Sequence, residues 1–192
     1  MRFNYAAVML LAFVSCSVHA ESFSYKGLAL GASAEELRER LPNYMEATYT
    51  GSLYNFKSID CARKNPGNSE AVQQCLKATS FGGVPVESGS IYLKANQVYS
   101  IDLKVKPWYV GELIGAITAR YGKHSDRKTL EYRNEYGVKS EGWIYTWVSG
   151  STSLTVEDNG GKELAVRIGS FQSKQEILES MRKAAEIGAK DF

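Results

Sequence analysis

The sequence predicts an α+β protein built from two similar units, each a helix followed by antiparallel strands, with a further helix at the C-terminus. Three observations predict it. Strand signals come as alternating runs joined by short turns, helix signals stand apart from them, and the order helix then strands occurs twice. The composition is that of an ordinary globular chain: 192 residues, 44% hydrophobic and 23% charged, which disfavours disorder, collagen, coiled coil and a small disulfide scaffold. The expected divisions are a leader over residues 1–20, a first unit over 21–106 and a second over 107–192, meeting near Lys106-Pro107.

The leader comes first. Arg2 precedes an apolar run from Ala6 to Val14, and Val18-His19-Ala20 offers a small-x-small cleavage site, the pattern of a secretory signal peptide. The run is shorter than the roughly 20 residues a membrane-spanning helix needs, and no second run follows it. The expectation is a periplasmic or secreted protein, cleaved near Ala20. A competing reading takes Phe13-Val14-Ser15-Cys16 as a lipoprotein box with a lipid anchor on Cys16; Phe13 stands where leucine is usual, which favours cleavage near Ala20.

Loss of the leader removes Cys16 and His19 and leaves Cys61, Cys75 and His124 as the remaining cysteines and histidine. In an oxidising compartment an even cysteine count reads as a disulfide, and only Cys61 with Cys75 can form it. Closing a loop of about 15 residues stabilises a fold by about 3 kcal/mol in the chain-entropy model. The spacing matches neither C-x-x-C nor a zinc knuckle.

Within the first unit, Ser33 and Glu36 form a capping box at the head of a short helix, Leu37 and Leu41 share its inner face, and Pro42 stops it. A second helix is expected over residues 69–77, started by the turn Asn65-Pro66-Gly67-Asn68, with Val72, Cys75 and Leu76 inward. Residues 81–86 form a β-like run broken by glycine and proline, which suggests an edge strand or a bulge. Residues 90–94 and 98–105 form a hairpin through Ala95-Asn96-Gln97, with Tyr99, Ile101, Leu103 and Val105 on its buried side.

The second unit opens with a helix over residues 109–121, whose Val110, Leu113, Ile114 and Ile117 form one stripe and whose end is marked by Gly122. Strands follow over 143–148, 153–157 and 164–168, the last two joined by Asp158-Asn159-Gly160-Gly161, a hairpin signal. A final helix is expected over 173–188, with Ile177, Met181, Ala184 and Ala185 inward.

Few residues suggest chemistry. In Lys123-His124-Ser125-Asp126 three consecutive residues cannot form a triad, because the histidine must bridge the other two; His124 reads as a loop residue. One histidine and two bridged cysteines leave only carboxylates for a zinc site, so no metal and no cofactor is expected. Gly82-Gly83 and Gly160-Gly161 match neither a Walker loop nor a dinucleotide fingerprint. The adjacent pairs Glu35-Glu36 and Glu157-Asp158 point apart on regular structure. With 23 Lys+Arg against 21 Asp+Glu, nothing favours nucleic acid as a partner.

The most unusual stretch is Gly142-Trp143-Ile144-Tyr145-Thr146-Trp147-Val148. At a strand's period of two, Trp143, Tyr145 and Trp147 share one face. If Ile144 and Val148 join the core with Leu154, Val156, Leu164, Val166 and Ile168, the ladder lies opposite. There it is either lidded, by the C-terminal helix or the helix after Trp108, or it stands exposed as a binding platform.

The opening segment Leu28-Ala29-Leu30-Gly31-Ala32-Ser33-Ala34-Glu35-Glu36-Leu37, with Leu41-Pro42, resembles the start of small cell-envelope α+β proteins of the SmpA/OmlA (BamE) lipoprotein family and its β-lactamase-inhibitor-like relatives. Two tandem helix-plus-strands units resemble the inhibitor architecture. The resemblance implies a non-enzymatic binding role in the bacterial envelope. The reading taken from the whole sequence is a binding or scaffold module whose expected partner is a protein rather than a small molecule. An inhibitor or immunity-type protein against a secreted enzyme is one alternative, for which residues 125–138 are the candidate inserting loop. A cell-wall hydrolase using distant carboxylates is another, and it predicts a deep acidic cleft.

Overall fold

A computed structural model describes residues 22–41, 44–133, 136–158 and 160–170. The leader with Cys16 and the helix expected over 173–188 lie outside the described residues. The description starts with a short antiparallel pair, β1 (Ser24–Tyr25) and β2 (Leu28–Ala29). Helix α1 (Ala34–Arg40) follows with the reciprocal cap its sequence predicts: Ser33 Oγ accepts from the Glu36 N–H at 3.1 Å, and the Glu36 carboxylate accepts from the Ser33 N–H at 3.0 Å. Two orphan donors are thereby satisfied, and Leu37 is driven into the core.

Strands β3 (Met45–Tyr49) and β4 (Leu53–Ser58) form a hairpin. Helices α2 (Cys61–Lys64) and α3 (Ser69–Ala78) come next, each N-capped by a side chain, Asp60 to the Arg63 N–H and Asn68 to the Ala71 N–H. The expected disulfide joins Cys61 at the head of α2 to Cys75 in α3, with a Cα–Cα separation of 5.7 Å. The run expected over 81–86 is itself a hairpin: β5 (Ser80–Phe81) turns through Gly82 and Gly83, both at positive φ, into β6 (Val84–Lys94). The turn packs so closely on the next helix that a Cβ on Gly82 would sit 3.2 Å from that of Ala116.

Strand β6 pairs with β7 (Gln97–Val105) through a turn in which Ala95 and Asn96 both take positive φ, the two-residue geometry that matches strand twist. A register shift between Tyr92 and Leu93 leaves Tyr99 without a cross-strand partner. Tyr99 therefore departs from the expected alternation, and Val98 takes the buried place. A 3₁₀ turn (Pro107–Tyr109) leads into α4 (Val110–Tyr121), and β8 (Asp126–Arg133), β9 (Lys139–Ser149), β10 (Thr152–Asp158) and β11 (Leu164–Ser170) follow as a meander.

These strands make one nine-stranded antiparallel sheet in the order β3-β4-β6-β7-β11-β10-β9-β8, with β5 added beside β6. The centre is the pairing of β7 with β11, where Ile101 faces Ile168, Leu103 faces Val166 and Val105 faces Leu164. All six are buried, and their branched side chains suit a pleated, covered surface. Leu28, Leu37, Leu113 and Ile117 from β2, α1 and α4 join the same core.

The register corrects one expectation about β9. Leu154 pairs with Trp147 and Val156 with Tyr145. Directly opposed residues on antiparallel strands project to the same face, so Trp143, Tyr145 and Trp147 share the core face, and Ile144 and Val148 lie on the other. That other face is polar at its centre: Asn55, Ser90, Asp102, Arg167, Thr155 and Thr146 face one another across six strands. Ser90 Oγ bonds Asn55 Oδ1 at 2.7 Å, and Arg167 holds Asp102 with two bonds of 2.9 Å.

Candidate binding surface

The aromatic ladder is graded along β9. Trp147 is 2% exposed, and its indole N–H donates to the Gly122 carbonyl at the end of α4 at 2.9 Å, so the one polar group it buries is satisfied. Tyr145 and Trp143 are half-buried. Arg127 of β8 lies over both rings, 5.3 Å from the Tyr145 centroid and 5.8 Å from that of Trp143. His124 meets Tyr145 and Trp147 edge-on at 5.2 and 6.0 Å. The expected loop histidine is thus half-buried and packed against aromatic rings.

Beyond Trp143 the hairpin outruns the sheet. The pairing of β9 with β10 covers residues 143–149, whereas β8 pairs with residues 139–146. The stretch Lys139–Gly142, with Leu130–Arg133 opposite, therefore projects past the last rung of β10. Gly142 stands at the point of departure. A Cβ there would lie 2.1 Å from the Asp158 carbonyl oxygen and 2.5 Å from the Tyr132 ring, so only glycine lets β10 and the tyrosine close over it.

The Tyr132 hydroxyl donates to the Glu157 carboxylate at 2.7 Å. Burial, then that bond and the negative charges of Glu157 and Asp158, push the Tyr132 pKa up to about 12. The projecting arm is laced with charge: Glu131 accepts from Arg133 at 3.3 Å and from Lys139 at 3.0 Å. As an edge strand with alternating charges, β8 resists addition of a further strand. Past those charges, Tyr136 is 83% and Val138 61% exposed.

A second exposed aromatic lies at the same end of the sheet. In the pairing, Trp143 is level with Asp158, Asp158 with Leu164, and Leu164 with Val105. The chain leaves the sheet after Val105 and turns at once through Trp108, which is 69% exposed, with the Lys106 ammonium 5.6 Å from its ring and Lys106 paired to Glu87. Tyr136, Trp108 and Val138 are the three most exposed large apolar side chains among the described residues.

Of the residues named from sequence, Cys61 and Cys75 are joined and buried, Trp147 belongs to the core, and Tyr145 and Trp143 lie partly open under Arg127. The segment 125–138 holds an edge strand as well as an exposed tip. Sequence reasoning gives Trp108 no binding role of its own; its position after Lys106-Pro107, outside the apolar stripe of α4, is the signal that could have marked it. Among the described residues no three His, Cys, Asp or Glu converge as metal ligands, and no helix is long and apolar enough to cross a membrane. The disulfide is consistent with an oxidising compartment. Compared with known proteins, the chain matches no family model, no curated protein and no solved structure.

Proposed function

We propose that this is an exported, non-enzymatic binding protein of the bacterial envelope, periplasmic or secreted after cleavage near Ala20, that docks a protein partner on the end of its sheet. The observation that carries the reading is that Tyr136, Val138 and Trp108, the three most exposed large apolar side chains among the described residues, all lie toward that one end of the sheet, with charged neighbours on the same segments. Tyrosine and tryptophan ringed by polar groups is the chemistry of protein-recognition hot spots. The likeness of residues 28–42 to small envelope α+β proteins points the same way. So does the chain order, in which α1 precedes the five strands β3–β7 on one side of the β7–β11 pairing and α4 precedes the four strands β8–β11 on the other; a helix followed by strands on each side supports two similar units meeting near Lys106.

A narrower version is an inhibitor or immunity-type role. A two-stranded arm with an exposed tyrosine beyond its paired residues suits entry into an enzyme's cleft, and the projection of the β8–β9 hairpin past β10 favours it. The test immobilises the exported protein and measures the affinity of the envelope protein it retains, alongside Tyr136→Ser with Val138→Ser and, separately, Trp108→Ala. Loss of a buried aromatic hot spot costs about 2 kcal/mol or more, so each variant should bind about thirtyfold more weakly with unchanged near-UV circular dichroism. Equal retention by wild type and variants overturns the reading. If the partner is an enzyme whose activity falls on binding, the inhibitor version holds.

A further inference from the structure

The two edges of the sheet are guarded unequally. Strand β8, at one end of the strand order, carries charge at five of its eight residues, Asp126, Arg127, Lys128, Glu131 and Arg133, a device that keeps further strands off an edge. Strand β3, at the other end, carries charge at Glu46 alone among Met45–Tyr49. It holds no proline, and its register with β4 runs without a shift from Met45 opposite Ser58 to Tyr49 opposite Tyr54. Among the described residues no strand pairs with its outer side.

The phase of the ladder fixes which backbone groups that edge presents. The Ile59 N–H donates to the Tyr44 carbonyl at 3.2 Å, and the Thr50 N–H to the Leu53 carbonyl at 2.9 Å. Bonded and non-bonded rungs alternate in an antiparallel pair, so Tyr44, Glu46, Thr48 and Thr50 turn their backbone groups toward β4. Met45, Ala47 and Tyr49 turn theirs outward. Water can satisfy such groups, so an open edge by itself assigns nothing; what distinguishes β3 is that its residues complement themselves. Turned about a two-fold axis through Ala47, a second β3 runs antiparallel to the first, with Met45 facing the partner's Tyr49 and Glu46 facing the partner's Thr48. Outward residues then meet only outward residues, and each such rung exchanges two hydrogen bonds. The Glu46 carboxylate meets a hydroxyl able to donate to it, on a non-bonded rung where side chains stand closest. On the opposite face the Met45 thioether meets the Tyr49 ring, a favourable contact, beside the Arg38 guanidinium 4.8 Å from that ring. Sliding the register by one step sets Glu46 against Glu46 in one direction and leaves Met45 without a rung in the other, so the centring on Ala47 is specified.

We propose that β3 pairs with β3 of a second copy of this chain, antiparallel and centred on Ala47, so that two sheets join edge to edge in a two-fold dimer. The contact uses the same patch on both copies and therefore closes at two. A strand of five residues makes a small interface, which places the dimer among weak, reversible ones. Strand β8 of each copy lies at the far end of the strand order, so the pairing leaves the β8–β9 arm of each copy open and does not depend on the protein-docking reading.

The experiment is sedimentation equilibrium of the protein purified after export, from about 1 μM to about 1 mM, the range of weak contacts, with three variants. Ala47→Pro deletes an outward N–H while the bonds to β4, made at residues 46 and 48, remain; edge strands accept proline in that orientation. Thr48→Lys sets an ammonium opposite the partner's Glu46, and Thr48→Glu sets a carboxylate there; Thr48 is exposed, so both variants should fold, which far-UV circular dichroism checks. The expected result is a monomer–dimer equilibrium, weakened about tenfold or more by Ala47→Pro. Thr48→Lys should tighten it about three- to tenfold and Thr48→Glu weaken it by a similar factor, because each substitution acts twice across the two-fold axis. A monomer throughout, an assembly that grows past two, or a dimer indifferent to Ala47→Pro overturns the proposal. So does movement of Thr48→Lys and Thr48→Glu in the same direction, an outcome that stays decisive even if Ala47→Pro fails to fold. Tyr136→Ser should dimerise as wild type does, which separates this edge from the arm.

Discussion

Trp147 and Trp143 lie on the same face of β9, separated by one turn of the pleat on either side of Tyr145, and yet one is core and the other is half open. The difference comes from the path of α4. The helix starts where β7 leaves the sheet and ends at Gly122 against Trp147, so it crosses the face on a diagonal. Trp147 lies under the end of that diagonal and gains both burial and an acceptor for its indole N–H. Trp143, at the corner from which the hairpin projects, meets the guanidinium of Arg127 instead. One strand thereby anchors a core at one end and carries an arm at the other.

The sharpest test of this contrast is truncation of the two tryptophans. Trp147→Ala should cost about 3–5 kcal/mol, as removal of a large buried side chain does, and it also leaves the Gly122 carbonyl without its donor. Trp143→Ala should cost about 1 kcal/mol, most of it the lost contact with Arg127. Urea unfolding monitored by far-UV circular dichroism measures both. Equal costs would mean that the ladder is buried uniformly and that the corner is not open.

The same contrast explains what could be read in advance. The cap of α1 was legible because Ser33 and Glu36 are the first and last of the four positions of one local motif, and the Cys61–Cys75 bridge because only one pairing exists. The face of the ladder was not legible. A strand with apolar residues on both sides can be turned either way, and the choice is made by which residues of β10 stand opposite, a matter of register between segments. Strands β3 and β8 left little signal for a related reason: edge strands face solvent on most sides, so Met45–Tyr49 and Asp126–Arg133 have no clean alternation. The departure of Tyr99 followed from a bulge, which pairing creates and a single strand does not reveal. As for the candidate surface, the segment 125–138 is named from the sequence only as a candidate inserting loop, whereas the exposure of Trp108 depends on where α4 begins its crossing.

Gly142 marks the border between anchor and arm, and Gly142→Ala should be next in effect. Its Cβ meets a backbone carbonyl, which cannot swing aside as a side chain can, and the Tyr132 ring closes the other direction. A loss of about 1–3 kcal/mol is expected from overpacking of this kind, with greater hydrogen exchange in residues 139–142 than in 145–149. Uniform exchange along β9 would show that the border is not at Gly142.

Tyr132 links the base of the arm to β10 through Glu157, and its raised pKa gives a signature in alkali. The unfolded chain releases the tyrosine proton near pH 10 while the folded chain holds it to about 12, so between those values the folded state binds more protons and stability falls as pH rises. Below pH 10 the contribution is fully present. Tyr25, buried against Phe56 and Phe81, has its pKa raised by burial as well and should add to the same decline. Tyr132→Phe should lose about 1 kcal/mol near neutrality, the worth of a hydrogen bond, and show a shallower decline above pH 10, with the part due to Tyr25 retained. A decline identical to that of wild type would remove Tyr132 from the linkage.

The smallest expected effect on stability is at the arm's end, and it is the most informative for function. Tyr136 and Val138 lie beyond the last rung shared with β10 and are largely in water, so Tyr136→Ser and Val138→Ser should change unfolding free energy by no more than about 0.5 kcal/mol each, as exposed substitutions do. A side chain maintained for packing would cost more when truncated. A large aromatic kept in water without a stability role contributes free energy only when something covers it, so near-zero cost in folding combined with loss of partner affinity assigns these residues to docking. A cost of 2 kcal/mol or more would mean that the tip packs against the protein itself, and the arm would then belong to the fold.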